Sequence, residues 1–150
     1  MKIAIGADHA GFNYKREIFA LLQGLGHEVI DFGTDSSEPV DYPDLVRPVA
    51  EAVARGEFDR GIVLGGSGNG EAMVANKVPG IRCALCWSTT VAKLARLHNN
   101  ANMLSLGERV IALETAKEVV RAFLETPYEG GRHDQRLEKM AALERLPRHD

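Results

Sequence analysis

The densest chemistry in the chain is Gly65-Gly66-Ser67-Gly68-Asn69-Gly70-Glu71, set between an apolar run and a helix-forming stretch. Glycines let a backbone bend tightly and bring its N–H groups close to a ligand, and those donors favour negative charge. The stretch lacks the Gly-Lys-Ser/Thr ending of a P-loop and the spacing of a dinucleotide fingerprint. It reads as an anion hole or, more blandly, as a glycine-rich tight turn. Glu71 at its lip is either an acid complementing a helix dipole or a general base beside preorganised donors. The second role suits proton abstraction α to a carbonyl, because enediolate charge forms where the donors already point.

Asp8-His9 follows the first apolar run directly. Asp8 can cap the next helix, or the pair can bind sugar hydroxyls and phosphate. His98 ends a helical stretch and precedes Asn99-Asn100. A histidine there is a dipole partner or an acid–base group. Arg132 and Arg136, four apart, share one helix face and suit a phosphate, or they pair with neighbouring acids. Cys83 and Cys86 form a C-x-x-C string on an expected strand, where an odd separation turns the side chains to opposite faces. They read as buried structural thiols, not as a redox pair or zinc ligands. His9, His27, His98, His133 and His149 show no metal-ligand spacing, so no metal is expected.

These groups must be positioned by regular elements. Lys2–Gly6, His27–Gly33, Gly61–Gly65, Ile81–Cys86 and Met103–Leu106 read as short strands. Between and after them, helices are expected at Phe12–Leu25, Asp44–Arg55, Glu71–Lys77, Thr89–His98, Leu113–Leu124 and Arg132–Leu143. Ile18, Leu21, Leu22 and Leu25 share a face of the first helix, residues 34–43 have loop chemistry, and Leu146–Asp150 is expected to fray. Alternating strands and helices need right-handed crossovers and so a parallel sheet covered on both faces. The expectation is a three-layer Rossmann-like α/β fold with a five-stranded parallel sheet, in one domain over residues 1–150. Ligands of such sheets bind beyond the strands' carboxyl ends, where Asp8, His9, Gly65–Glu71, Gly107 and Arg109 collect.

Composition narrows the partners. The 18 bases and 21 acids among 150 residues leave a formal charge of −3, which offers no broad basic surface for nucleic acid. The apolar runs are too short to span a bilayer, and Asp8, His9, Lys15 and Arg16 interrupt any signal-peptide core. A soluble cytoplasmic protein is expected.

Taken in order along the chain, the motifs resemble the sugar-phosphate isomerase family of the type B ribose-5-phosphate isomerases and galactose-6-phosphate isomerase subunits. The resemblance runs from Ile3-Ala-Ile-Gly-Ala-Asp-His-Ala-Gly11 through Asp41-Tyr-Pro43, Gly65–Glu71, Ala75-Asn-Lys77 and His98-Asn-Asn100 to Gly130-Gly-Arg-His133. It implies interconversion of ribose 5-phosphate and ribulose 5-phosphate without metal or cofactor, in a homodimer, or a tetramer, with sites at the interface. It also implies roles. Asp8, His9 and Asn99 meet the substrate, and His98 assists ring opening. Gly66, Ser67, Gly68, Asn69 and Gly70 form the anion hole, Ser67 also helping a proton move between oxygens. Arg109, Arg132 and Arg136 hold phosphate, some from the neighbouring subunit. One branch of the family carries a catalytic cysteine where this chain has Gly65; the other uses a glutamate at the position of Glu71, the pattern followed here. The alternatives are a hexose 6-phosphate isomerase acting on allose or galactose 6-phosphate, and a non-catalytic phosphosugar-binding module.

Overall fold

The computed structural model describes residues 1–149. Five parallel strands, β1 (Lys2–Ala7), β2 (Glu28–Asp31), β3 (Arg60–Gly65), β4 (Cys83–Leu85) and β5 (Met103–Gly107), form one sheet in the order β2-β1-β3-β5-β4. The chain turns outward from β1 to β2, then returns past β1 to β3. This reversal opens a crevice beyond the carboxyl ends of β1 and β3.

Six helices accompany the sheet: α1 (Phe12–Gly24), α2 (Tyr42–Ala54), α3 (Asn69–Ala75), α4 (Thr89–Asn99), α5 (Leu113–Glu125) and α6 (Arg132–Ala142). The central strands are apolar on both sides, as a doubly covered sheet requires. Ile3, Ile5, Ile62, Leu64, Leu104 and Leu106 point to one face, where they meet Ile18 and Leu22 of α1, Ala92 and Ala95 of α4, and Val119, Val120 and Phe123 of α5. Ala4, Val63 and Met103 point to the other, against Val46, Val49 and Val53 of α2 and Ala75 of α3. Helix α6 stands apart from this packing: only His133 among its residues is buried.

Several boundaries differ from the sequence expectation for local reasons. Helix α2 begins at Tyr42, because Pro43 sits in the first turn, where a missing N–H and a fixed φ cost nothing. Strand β4 covers only Cys83–Leu85, since the Arg82 amide donates to the Asn102 side chain instead of a ladder. The exposed edge of β4 is closed by Asn76, whose carboxamide accepts from the Cys83 amide at 2.8 Å and donates to its carbonyl at 3.0 Å. Strand β2 stops at Asp31, and Leu25 lies exposed outside α1. Helix α6 passes at Ala142 into a 3-10 turn, Leu143–Arg145. Residues 146–149 adopt neither helix nor strand, and Asp150, the end of the expected fraying segment, lies outside the described residues.

The loop after β2 is anchored from below. Lys15 is buried, and its ammonium reaches both Asp31 carboxylate oxygens at 2.7 and 2.8 Å and the Thr34 carbonyl at 2.5 Å. A buried cation is tolerable only with such partners. The anchor holds residues 32–41 over the end of β1.

Candidate active site

Three loops meet at the carboxyl rim of the sheet. After β1, Asp8 is buried, and its Oδ1 accepts from the Ala10 and Gly11 amides at 2.9 and 3.1 Å. Asp8 therefore organises the turn that leads into α1 without capping the helix, whose N-cap is Gly11, and its charge faces the crevice region. The adjacent His9 accepts at Nδ1 from the Val40 amide, 3.1 Å away. That bond places the proton of a neutral ring on Nε2, which becomes a donor.

After β3, the glycine-rich loop passes into α3 through Gly68, whose φ of +82° suits a residue without Cβ. Among the described residues, no acceptor is hydrogen-bonded to the Gly66, Ser67 or Gly68 amides. Ser67 Oγ accepts from the Asn69 amide and from Asn69 Nδ2, both at 3.2 Å, leaving its own proton free to donate. Glu71, in the first turn of α3, is 4% exposed. Its carboxylate folds back against the Gly65 backbone rather than out to water. Burial holds this carboxyl above the ordinary carboxylate range; a backbone amide opposes the shift, and the Asp8 carboxylate adds to it.

After β5, Arg109 lays its side chain across Gly66 and forms no ion pair among the described residues. Its segment is clamped by Tyr14 of α1. The Tyr14 amide donates to Glu108 Oε1 at 2.6 Å, and the Tyr14 hydroxyl donates to the Ile111 carbonyl at 2.8 Å. Tyr42, from the first turn of α2, lays its ring on Gly70. Together with Asp8, His9, Val40, Asp41 and Pro43 it lines a cavity of about 540 Å³. Sequence reasoning marked the Asp41-Tyr42-Pro43 motif without giving Tyr42 a site role, and did not place Glu108 in the site. The Asp41-Tyr42-Pro43 motif was a usable signal for the first, whereas the second depends on a contact between residues 94 positions apart.

The remaining candidates lie elsewhere. Helix α4 starts at the carboxyl end of β4 and runs back to the amino end of β5, so His98 and Asn99 finish at the opposite rim. There Arg82, just before β4, donates to the Asn99 and Asn100 carbonyls, both at 2.9 Å. Arg132 and Arg136 open α6 at the same rim, Arg132 holding Glu129 at 3.2 Å. His98 stacks on His133 with ring centroids 4.4 Å apart. At about 3.3 Å per strand residue, the rims are separated by about 15 Å. One chain thus unites Asp8, His9, Gly66–Gly70, Glu71 and Arg109, and holds His98, Asn99, Arg132 and Arg136 as a second group.

Neither cysteine belongs to either group. Cys83 packs on the α2 face of the sheet and Cys86 on the α1 face. Burial pushes both thiols up, Cys86 to about 12, so neither is a thiolate nucleophile. No helix is long and apolar enough to cross a membrane among the described residues.

Residues 3–140 match the Ribose/Galactose Isomerase family. The chain is 52% identical over 143 residues to ribose-5-phosphate isomerase B of Escherichia coli (strain K12), covering 95% of this chain and 96% of that one. It is 43% identical over 150 residues to the D-erythrulose-4-phosphate isomerase of Pectobacterium atrosepticum, covering 99% of each. The structure of Clostridium thermocellum ribose-5-phosphate isomerase B superposes with a TM-score of 0.95 at 53% identity, over 96% of this chain and 97% of that one. The chain belongs to the ribose/galactose isomerase family and shares its Rossmann-like α/β fold.

Proposed function

We propose that this isomerase interconverts D-ribose 5-phosphate and D-ribulose 5-phosphate through an enediolate, at a site assembled from two copies of the chain. The observation that carries the reading is the Glu71 carboxylate, buried at the lip of a loop with unengaged amides and held above its usual pKa range. A base of that kind takes a carbon-bound proton more readily than an ordinary carboxylate does.

In the aldose direction, Glu71 removes the proton from C2 while electrons move to the C1 carbonyl oxygen. The Gly66–Gly70 backbone steadies the charge that develops there. Ser67, its hydroxyl proton free, carries the proton between the O2 and O1 oxygens, and Glu71 returns the carbon-bound proton to C1. No step asks for a metal or a cofactor. Asp8 and His9 bind sugar oxygens, His9 through its Nε2 proton, and Arg109 attracts the phosphate. A phosphate gripped away from the reacting carbons fixes the register of the sugar against Glu71.

His98 and Asn99 enter this scheme from a second copy, because one chain keeps them about 15 Å from Glu71. His98 assists furanose opening, Asn99 contacts the sugar, and Arg132 and Arg136 add to the phosphate grip. A homodimer fits the exposed apolar side chains at both rims: Met73, Trp87 and Val110 at one, Met140 and Leu143 at the other, are between 44% and 65% exposed. Patches of this kind mark association surfaces.

Sugar length varies among relatives, one being named for a four-carbon substrate. The deciding assay measures turnover of wild-type protein and Glu71→Gln on ribose 5-phosphate, with erythrulose 4-phosphate and allose 6-phosphate alongside. We expect the pentose phosphate to be preferred and Glu71→Gln to lose about 10²- to 10⁴-fold in turnover. Near-normal turnover by Glu71→Gln at saturating substrate would sink the mechanism. Faster turnover of the hexose or tetrulose phosphate would replace the substrate.

A further inference from the structure

The far rim holds a feature that the isomerase chemistry leaves unexplained. His133 is 5% exposed, and its Nε2 is buried without a hydrogen-bond partner. Buried polar nitrogens are rarely left so. His98 stacks over it at 4.4 Å with 19° between the ring planes. Glu129, tied beside His98 by its amide donating to the Leu97 carbonyl at 3.0 Å, turns its carboxylate toward both rings. Its Oε2 lies 3.5 Å from His133 Nε2 and 3.9 Å from His98 Nε2. One ligand atom from each residue thus falls within 4.8 Å of the others. Glu129 and His133 are four apart, whereas His98 joins them only through the fold, which spacing among the histidines does not show.

A tetrahedral cation with ligands at about 2.0–2.1 Å sets those ligands about 3.3 Å apart. The Glu129–His133 separation is already near that value, the Glu129–His98 separation must close by about 0.6 Å, and the two imidazole nitrogens, within 4.8 Å, must approach as well. Two imidazoles and one carboxylate suit zinc, nickel or copper, whereas magnesium and calcium require oxygen ligands. Arg132 holds the other Glu129 oxygen at 3.2 Å, orienting the carboxylate as ligating carboxylates usually are, although its charge works against a dication. Each nitrogen lone pair must also point at the ion, which parallel stacked rings do not permit. His98, 38% exposed on the last turn of α4, is the ring free to rotate, while buried His133 stays in place.

We propose that His98, Glu129 and His133 form a site for a divalent transition cation of the zinc class, and that its occupation inhibits the enzyme. The inhibitory part rests on the reading of His98 as the ring-opening residue, since coordination takes its Nε2 lone pair.

Zinc chloride titrated calorimetrically into the full chain should show one ion bound per chain, with nickel behaving alike and magnesium giving no heat of binding. His133→Gln and Glu129→Gln should each weaken binding by more than about 100-fold, beyond the loss seen for outer-sphere partners. Circular dichroism checks that each variant folds, and Glu129→Gln, at a 44% exposed side chain, provides the milder change. Turnover on ribose 5-phosphate should fall as zinc binds to the wild type, recover with a chelator, and become insensitive to zinc in both variants. Equal zinc uptake by the wild type and both variants overturns the site. Uptake that depends on Glu129 and His133 yet leaves turnover untouched upholds the site, overturns the inhibition, and removes His98 from the reaction.

Discussion

A Cβ built on Gly65 would lie 1.8 Å from Glu71 Oε1 and 2.2 Å from its Cδ. The last residue of β3 and the first turn of α3 therefore compete for one volume, and the missing side chain of Gly65 is what lets the carboxylate lie inward. This gives a steric reason for the two branches of the family described above: a side chain at Gly65 and an inward carboxylate at Glu71 exclude each other.

Replacing Gly65 by alanine should accordingly act on Glu71 and not on the backbone, since Gly65 does not have a positive φ. The methyl group expels the carboxylate from its place. Turnover on ribose 5-phosphate should drop by a factor similar to that of Glu71→Gln, about 10²- to 10⁴-fold for a displaced general base. An alanine variant that retains wild-type kcat would show that the inward carboxylate is not the base.

The acid limb of the pH–rate profile should report Glu71. A base works ionised, so activity is lost as pH falls through its folded-state pKa, which burial and then Asp8 raise against an opposing backbone amide. Asp8→Asn removes the neighbouring negative charge but keeps an acceptor for the Ala10 and Gly11 amides. The limb of kcat/KM should move to lower pH, whatever happens to its height. A limb that stays in place dissociates Asp8 from the Glu71 titration.

The same shift costs stability. A carboxyl whose folded pKa is raised gives its full contribution below the unfolded pKa and loses it as pH rises through the folded value. Glu71→Gln, which cannot ionise, should melt above the wild type near pH 7. The gap should close below about pH 4, where the ordinary carboxyl is protonated in both states. Calorimetric melting at the two pH values checks this, and equal melting temperatures at neutrality would refute it.

The sequence made the carboxyl rim readable because glycines and polar residues sit where apolar runs end, at Gly65–Glu71 and at Asp8-His9. The motifs do not say which copy supplies each group: only with the element order in hand does α4, running from the carboxyl end of β4 back to the amino end of β5, set His98 at the rim opposite Glu71. Tyr42 was hidden by taking Pro43 as loop chemistry when it occupies a helix's first turn. The grouping of His98 with Glu129 and His133 joins α4 to the α5–α6 connection and the first turn of α6, which lie more than 30 residues further along the chain.

The Tyr14–Glu108 clamp is predicted to act through Arg109. Glu108→Ala removes the 2.6 Å bond that ties the Arg109 segment to α1. Loss of a positioning interaction of about 1 kcal/mol should raise KM for ribose 5-phosphate about five-fold with kcat little changed. Arg109→Ala should raise it further, and adding Glu108→Ala to that variant should do nothing more, since both changes act on one contact. Additive effects in this cycle would assign Glu108 a role separate from Arg109.

The strongest consequence of the two-rim arrangement concerns mixtures of inactive chains. If each site takes Glu71 from one copy and His98 from another, Glu71→Gln and His98→Asn damage opposite halves of different sites. A mixed dimer then holds one site with both defects and one with neither. Random pairing of equal amounts makes about half the dimers mixed, and one of their two sites is intact, so co-expression should restore roughly a quarter of wild-type turnover. His98→Asn mixed with Arg132→Ala should restore nothing, because both residues lie in the same half and every site is left with at least one defect. Activity measured on ribose 5-phosphate after co-expression, with each variant alone as baseline, separates the cases. If the first mixture is no more active than its components, each chain must complete its own site, and the separation of His98 from Glu71 would then have to be bridged by a movement of α4 instead of by a second subunit.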